Sequence, residues 1–109
     1  MSRAKGNLAE VKAVAYLQAR GFQIIEQNFY SRFGEIDIIV QKDGILHFIE
    51  VKSASNFEQA IRNITAKKIS RIIKTVYVYM KKNALNVEYE IDAIIVTPIE
   101  IEYIENITI

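Results

Sequence analysis

The dipeptide Asp43-Gly44 constrains the fold of this chain more than any other feature, because it joins two β-rich runs. Residues 35–41 precede it and residues 46–52 follow it, and isoleucine and valine recur in both. Asp-Gly is favoured in two-residue hairpin turns, in which both central residues adopt positive φ angles. The sequence therefore predicts a β-hairpin in the first half of the chain.

A two-residue loop also fixes which residues of the two strands face each other. Counting outward from the turn places Asp37 opposite Glu50 and Glu35 opposite Lys52. Since side chains alternate along a strand, all four should share one face, which predicts a patch of three carboxylates and one amine. Two carboxylates directly opposite each other repel and destabilise a sheet. A divalent cation between Asp37 and Glu50 would compensate, and oxygen ligands favour Mg²⁺ or Mn²⁺.

An ordinary solvated strand face is the alternative interpretation of the same residues, with Glu35 and Lys52 forming a cross-strand ion pair. Leu46 and Phe48 share this face, and unpaired charges beside an apolar strip are unfavourable, which favours the cation. Three apolar neighbours are expected on the opposite face: Ile36, Ile38 and Val51.

A helix is predicted on each side of the hairpin. Residues 3–20 have helical spacing, with Ser2 as the cap and Gly21 at the end. Five apolar residues are expected on its buried side: Leu8, Val11, Val14, Ala15 and Leu17. A longer helix follows the polar break at residues 53–56. Its apolar stripe consists of Ile69, Ile72, Ile73, Val76, Tyr77 and Met80.

The remaining segments are predicted to be strands. Residues 22–29 form one, and loop residues follow at 28–34. Residues 89–97 form another, which Pro98 ends, and apolar residues then alternate with glutamates up to Tyr103. The predicted order is α-β-β-β-α-β-β. It corresponds to an α/β fold in which helices flank a mixed central β-sheet.

Composition limits the possible chemistry. The chain has 109 residues, half of them hydrophobic, which predicts a single domain over residues 1–109. Cysteine is absent, which excludes disulfides, thiolate zinc sites and cysteine nucleophiles. The one histidine, His47, is expected on the strand face opposite Glu50, as a packed or surface residue rather than a metal ligand. Catalysis by this chain would have to depend on carboxylates and lysines.

Charge is distributed unevenly along the chain although the formal net charge is only +1. Residues 53–83 contain seven lysines and arginines against one glutamate, whereas residues 84–109 contain six acidic residues and neither lysine nor arginine. The basic part is expected to attract a nucleic acid. The N-terminus carries no apolar leader and no apolar run has membrane-spanning length, so we expect a cytoplasmic protein without a membrane partner.

Four motifs, taken in order, resemble the small bacterial YraN family across nearly the whole chain. They are Gly6-x-x-x-Glu10, Gly34-Glu35-Ile36-Asp37-Ile38-Ile39, Phe48-Ile49-Glu50-Val51-Lys52 and Lys68-x-x-Arg71-Ile72. That family resembles the archaeal Holliday-junction resolvases and, more broadly, the PD-(D/E)xK nucleases. The resemblance implies a restriction-endonuclease-like fold. It also implies a Mg²⁺- or Mn²⁺-dependent endonuclease that acts on DNA, with branched or structured DNA as a candidate substrate.

The resemblance also implies a role for each matching residue. Asp37 and Glu50 would bind the metal ion, together with the carbonyl oxygen of Val51 and with Glu10 from the first helix. Lys52 would assist the attacking water and stabilise charge in the transition state. Glu35 would support Lys52 as a neighbouring partner. The implied catalytic set is therefore Glu10, Asp37, Glu50 and Lys52.

Two positions depart from the family pattern. The family usually has an arginine shortly after Glu-x-Lys, where this chain has Ala54. It usually has Arg-Phe-Asp on the late strand, where this chain has Glu90-Ile91-Asp92. If those arginines bind phosphate in relatives, this chain should bind DNA more weakly or act on another substrate. A nucleic-acid-binding module that keeps the nuclease fold with little or no turnover is therefore the alternative.

Basic residues outside the motif set are candidates for contacting phosphates, although solvated helix charges are the ordinary interpretation. The candidate nucleic-acid contacts are Lys5, Arg32, Lys67, Lys68, Arg71 and Lys74. Phe33 and Tyr30, beside Arg32, could stack on an unpaired base or pack in the core. Cutting both strands of a symmetric junction needs two sites, so a homodimer is the expected assembly for that activity. A purely partner-binding role through an edge strand at residues 99–103 is a third interpretation.

Overall fold

The computed structural model of this chain describes the backbone of residues 2–108 and the side chains of residues 8–108. Within that range, five strands and three helices follow one another in this order: α1 (Ser2–Ala19), β1 (Gln23–Ser31), β2 (Gly34–Lys42), β3 (Ile45–Ser53), α2 (Phe57–Arg62), α3 (Ala66–Lys82), β4 (Tyr89–Val96) and β5 (Ile101–Ile104). The predicted α/β class, with a mixed sheet flanked by helices, is confirmed. No helix among residues 2–108 combines the length and the apolar character needed to cross a bilayer.

Two helices, rather than the single one expected, connect β3 to β4. Asn56 caps α2, because its side chain accepts a hydrogen bond of 2.8 Å from the amide of Gln59. Thr65 caps α3 in the same way and accepts from the amide of Lys68 at 3.2 Å. The second cap starts α3 at Ala66, so Lys68 lies in its first turn.

The five strands are arranged side by side in the order β1-β2-β3-β4-β5. All neighbouring pairs are antiparallel except β3 and β4, which are parallel. A parallel pair requires a long crossover, and α2 with α3 supplies it. The sheet is therefore mixed, as predicted.

The predicted hairpin register between β2 and β3 is confirmed close to the turn. Lys42 pairs with Ile45 and Ile38 pairs with Ile49. Asp43 and Gly44 have φ angles of 53° and 79°, as a type I′ turn requires. The regular ladder ends at Ile38, so the two pairs expected beyond it are not part of the hydrogen-bonded register.

Each face of the sheet is covered by one main helix. The face toward α3 buries Phe29, Ile36, Ile39, Leu46, Phe48, Ile72, Val76, Tyr79 and Ile91. The face toward α1 buries Ala9, Ala13, Leu17, Ile38, Val40, Ile49, Ile94 and Val96. As expected, Leu46 and Phe48 lie on one face of β3 and Val51 packs on the other.

The buried side of α1 differs from the prediction. Ala9, Ala13 and Leu17 form it, whereas Leu8 and Val11 are 58% and 63% exposed. Small alanine side chains let a helix backbone approach a sheet closely, and helical spacing cannot tell such a stripe from a neighbouring stripe of larger apolar residues. Among the other residues expected there, Val14 is half-buried and Ala15 is exposed.

The buried side of α3 follows the prediction more closely. Ile72 and Val76 are buried in the cluster between α3 and the sheet, as the stripe predicted. Tyr77 is exposed, whereas Tyr79 packs in that cluster against Phe29 and Phe48. The buried stripe is therefore rotated around the helix relative to the predicted one, so that Tyr79 rather than Tyr77 faces the sheet.

Candidate functional site

A local irregularity in β1 and β2 places the first acidic residue of the site. Phe29 pairs with Ile36 and Gln27 pairs with Ile38, but the pair between them, Asn28 with Asp37, is missing from the ladder. Asn28 has a φ of 54°, a conformation that asparagine tolerates better than most residues. Strict alternation along β2 is interrupted at this point.

The position of Ile36 shows the effect of that interruption. Ile36 was expected on the same face as Ile38, but it packs in the cluster on the α3 side while Ile38 packs on the α1 side. The prediction for Ile36 is therefore wrong, because it assumed an unbroken period of two. Glu35, which precedes Ile36, accepts a hydrogen bond from Asn28.

The predicted acidic and basic residues line one cleft of about 320 Å³. Its walls come from α1, from β2 and the end of β3, and from the first turn of α3. The lining residues are Ala9, Glu10, Glu35, Asp37, Glu50, Val51, Lys52, Ser53 and Lys68. The structure thus brings together all five charged residues of the predicted site, and adds Lys68, which had been predicted only to contact nucleic acid.

Asp37 is held by the backbone of the neighbouring strand. The amide of Val51 donates a hydrogen bond of 2.7 Å to its Oδ2. Burial, and then a hydrogen bond with Glu50 and repulsion from it, raise the pKa of Asp37 to about 9. Without a cation, Asp37 therefore retains its proton at neutral pH.

Glu50 is the most buried carboxylate of the cleft, with a side chain that is 8% exposed. Its Oε2 lies 3.4 Å from Nζ of Lys68. Lys68 reaches it from the first turn of α3, where the Thr65 cap fixes the start of the helix. A charge this buried requires a partner, and Lys68 supplies one.

The cleft contains two lysines close to each other. Desolvation, and then a hydrogen bond with Lys68 and repulsion from its ammonium, lower the pKa of Lys52. Desolvation also disfavours charge on Lys68, but contacts with Lys52 and Glu50 outweigh it and raise the pKa of Lys68. Of the two amines, Lys52 is the one that loses its proton more readily.

Asn28 connects the two outer carboxylates of the cleft. Its Nδ2 donates to Oε1 of Glu10 and to Oε2 of Glu35, at 3.0 Å in both cases. The cross-strand ion pair considered for Glu35 and Lys52 is absent from the part of the chain whose side chains are described, where Glu35 is bound by Asn28 instead. Sequence reasoning missed Asn28, because it assigned this residue to a loop.

A hard divalent cation fits the inner pair of carboxylates. Asp37 and Glu50 both line the cleft and offer the carboxylate oxygens that such an ion prefers. Glu10 is not part of a three-ligand group with them: within residues 8–108, Glu10, Asp37 and Glu50 do not all bring ligand atoms within 4.8 Å of one another. Val51 lines the same cleft beside them. The donor set considered for the ion is therefore Asp37 and Glu50.

The basic residues predicted to bind nucleic acid extend from this cleft along α3. Lys67, Arg71 and Lys74 are exposed at helical spacing, and we call them the α3 basic stripe. The turn between β1 and β2 lies against the stripe, since a Cβ added at Gly34 would lie 3.7 Å from Cβ of Arg71. Lys5 lies outside the residues whose side chains are described.

The aromatic ring of Phe33 is already in contact with cations of the protein. The guanidinium of Arg32 lies 4.7 Å from the ring centroid and Nζ of Lys74 lies 5.7 Å from it. These contacts join the β1–β2 turn to the α3 basic stripe. Tyr30 is 57% exposed on the preceding strand, β1.

A second polar cluster, which the sequence reasoning missed, lies on the α1 side of the sheet. Nδ1 of His47 lies 2.7 Å from Oδ2 of Asp92, to which the hydroxyl of Tyr103 also donates. The amide of Asn106 donates to Oδ1 at 2.8 Å. Asp92 is fully buried, and its two oxygens bond to three protein groups. This network depends on the parallel pairing of β3 with β4, which spacing along the sequence does not reveal.

His47, Asp92 and Glu90 could also hold a metal ion, because ligand atoms of all three lie within 4.8 Å of one another. His47 is buried against Phe22 on the α1 side, opposite the face of Glu50, as predicted. Burial, and then repulsion from Asp92, raise the pKa of Glu90. A cation here would have to replace the hydrogen bonds that Asp92 already accepts.

The two departures from the family pattern lie outside the cleft. Glu90 pairs with His47 in the parallel ladder, and His47 precedes Glu50 by three residues along β3. Ala54 follows β3 and lines a separate groove with Lys12, Ser55 and Thr97. The missing arginines therefore leave the composition of the acidic cleft unchanged.

Comparison with known proteins identifies the family. The sequence model described as "Uncharacterised protein family UPF0102" matches residues 9–96. The chain is 59% identical to a UPF0102 protein of Sulfurimonas denitrificans over the full length of both proteins. It is 53% identical to one of Aliarcobacter butzleri, over 99% of each chain, and 49% identical to one of Helicobacter pylori, over 97% of this chain and 92% of that one. The chain therefore belongs to the UPF0102 family, which is the YraN family that its motifs resemble.

Proposed function

We propose that this protein is a metal-dependent endonuclease that hydrolyses phosphodiester bonds in DNA, with branched or otherwise structured DNA as its substrate class. One observation carries the proposal: Asp37, which the amide of Val51 holds, lines the same cleft as Glu50 and Lys52. Buried like charges of this kind are unfavourable unless a proton or a bound cation neutralises them.

The proposed cation is Mg²⁺ or Mn²⁺, because the donors are carboxylate oxygens. When bound, it would lower the pKa of a water molecule and neutralise charge on the phosphate. Asp37 and Glu50 would hold it, with the carbonyl oxygen of Val51 as a further ligand. Asn28 positions Glu10 in the cleft. There Glu10 would either orient the attacking water or bind the metal ion as an additional ligand.

Lys52 is the proposed catalytic amine. Its pKa is lowered by desolvation and by Lys68, so it can exchange a proton with the attacking water more easily than an ordinary lysine. In its protonated form it would stabilise the developing charge on the phosphate. Both roles require Lys52 to remain in the cleft beside Asp37 and Glu50, where the end of β3 places it.

The α3 basic stripe is the proposed DNA-binding surface. It begins in the first turn of α3, beside the cleft, and carries Lys67, Arg71 and Lys74 on the exposed side of the helix. Arg32 extends it through the Phe33 ring. Exposed lysines and arginines in such a row bind phosphates without sequence preference, which suits a protein that recognises DNA shape. Cleavage of both strands of a junction would require two copies of the chain.

A cleavage assay tests the proposal directly. Linear, flapped and four-way DNA would be incubated with the protein and Mg²⁺ or Mn²⁺. Asp37→Asn is expected to abolish cleavage, whereas Asp43→Asn, which makes the same chemical change in the hairpin turn, should leave it intact. Equal activity in the Asp37→Asn protein would exclude Asp37 as a metal ligand for catalysis.

A nucleic-acid-binding module without turnover is the second candidate. The observation that favours it is the ion pair between Lys68 and Glu50, which already neutralises one of the two inner carboxylates. In this case the protein would bind DNA through the α3 basic stripe but cleave none of the substrates with either metal. Binding without cleavage by the wild-type protein would therefore select this candidate over the endonuclease.

A further inference from the structure

Lys68 differs from the other basic residues of α3 in where its ammonium lies. Within residues 8–108, its contact with Glu50 is the one lysine–carboxylate ion pair. Lys67, its neighbour in the chain, is exposed and does not line the cleft. Lys68 is only 39% exposed and does line it.

We propose that Lys68 is a resident counter-ion of Glu50 that a divalent cation must displace, and that the displaced ammonium then binds a phosphate of the DNA. This inference rests on the proposed function and assigns a new role to a residue of the same cleft. It makes Lys68 a link between metal binding and substrate binding.

Lys68 and a divalent cation would compete because both would bind the carboxyl group of Glu50. The ammonium lies 3.4 Å from Oε2 of Glu50, and Asp37 lines the same cleft as that carboxyl group. A cation held by both carboxylates would therefore lie close to the ammonium. Like charges at such a separation repel strongly where burial lowers the effective dielectric constant, and a divalent ion doubles the repulsion that a monovalent ion would meet. Lys68 therefore opposes the arrival of the metal unless its side chain moves.

A phosphate provides the position to which Lys68 would move. The side chain is flexible and partly exposed, and Arg71 of the α3 basic stripe lies one helical turn further along α3. An ammonium released from Glu50 would thus face the side from which DNA is proposed to approach. Since coupling between two ligands is reciprocal, DNA should then increase the affinity for the metal, and the metal should increase the affinity for DNA.

Calorimetric titration of the metal-free protein with Mn²⁺ tests the competition without any cleavage. Lys68→Met should bind Mn²⁺ about three- to tenfold more tightly than wild type, which corresponds to the removal of one partly exposed ion pair. The matched control is Lys67→Met, which removes the same charge one residue away. It should change the affinity by less than about twofold, because solvent and salt screen an exposed charge.

Urea denaturation of each variant would confirm that it is folded before the titration.

The rate of DNA cleavage at increasing Mn²⁺ concentration is the second measurement. Lys68→Met should reach half of its maximal rate at a lower Mn²⁺ concentration than wild type, but with a lower kcat, because no ammonium at this position binds the phosphate. Equal Mn²⁺ affinity in Lys68→Met and wild type would overturn this inference and leave the proposed function standing. Failure of the wild-type protein to bind Mn²⁺ at all would instead overturn the metal-dependent function, and this inference with it.

Discussion

The backbone amide of Val51 donates a 2.7 Å hydrogen bond to the side chain of Asp37 at the point where β2 and β3 stop pairing. In a regular ladder, the amide of Val51 would donate to a backbone carbonyl of β2. Here it donates to a carboxylate oxygen of Asp37 instead. One oxygen of Asp37 is thereby fixed to the sheet, and the carboxyl group is held against Glu50. The irregularity at the end of the ladder thus positions the acidic pair.

This hydrogen bond predicts different effects for two substitutions of Asp37. Asp37→Ala leaves the amide of Val51 without its acceptor and should lower the free energy of unfolding by about 1–3 kcal/mol. Asp37→Asn keeps an acceptor for Val51 and stays neutral at every pH, as protonated Asp37 does, so the metal-free protein should be at least as stable as wild type at pH 8. Urea denaturation in EDTA measures both. A destabilised Asp37→Asn protein would contradict the raised pKa of Asp37.

The raised pKa of Asp37 predicts how the stability of the metal-free protein depends on pH. The group has a pKa of 3.8 when unfolded and about 9 when folded, so the folded state binds more protons between these values. The stabilisation is present below pH 4 and is lost as the pH rises toward 9, with a limiting slope of about 1.4 kcal/mol per pH unit. Asp37→Asn should flatten this slope in EDTA.

Mn²⁺ provides the control for that pH dependence. Since the cation binds the deprotonated pair, saturating Mn²⁺ should stabilise the wild-type protein more at pH 8 than at pH 5. The two measurements together separate proton binding from metal binding at the same carboxylates. If Mn²⁺ stabilised Asp37→Asn as much as wild type, the ion would be binding elsewhere.

Asn28 predicts a charge-specific effect on stability. Its amide donates to both Glu10 and Glu35, so Asn28→Asp would replace two hydrogen bonds with repulsion between three carboxylates. We expect a loss of about 2–4 kcal/mol in the free energy of unfolding at pH 8. Gln27→Glu adds the same charge at an exposed neighbouring position and should change stability by less than about 0.5 kcal/mol.

Much of the fold was predictable because its signals are local. The Asp43-Gly44 turn fixed the hairpin register, and the alternation along β3 placed Leu46 and Phe48 on the same side as Glu50. These signals also brought the acidic residues of the candidate site to one place. Prediction failed where a residue's conformation depended on distant contacts. The positive φ of Asn28 broke the alternation that had been assumed for Ile36.

Long-range pairing was the second source of error. The network of His47, Asp92 and Tyr103 forms because β3 pairs in parallel with β4 and β5 follows β4 in the sheet. No spacing along the chain encodes that register. The buried stripe of α1 was also misassigned, since Ala9 and Ala13 are recognisable as contacts only when the sheet beneath them is known.

The α3 basic stripe predicts salt-dependent DNA binding. Replacing Lys67 and Arg71 with glutamine should weaken binding to a duplex and reduce the slope of log affinity against log salt by about 0.9 for each phosphate that the variant no longer neutralises. The control is Lys81→Gln with Lys82→Gln, which removes two charges from the last turn of the same helix. Fluorescence anisotropy at several salt concentrations measures the slopes. Equal slopes for the two double variants would show that DNA does not bind at the stripe.

The buried Asp92 predicts a structural effect that can be separated from metal binding. Asp92→Asn keeps one oxygen acceptor but places an amide donor either against His47 and Tyr103 or against the amide of Asn106, and should lower the free energy of unfolding by about 2–4 kcal/mol. Tyr103→Phe removes only one of the three donors and should lower it by about 1 kcal/mol. Because these donors already satisfy Asp92, Zn²⁺ should leave the Tm of the wild-type protein unchanged. A rise in Tm with Zn²⁺ that Glu90→Gln abolishes would show instead that His47, Glu90 and Asp92 bind metal.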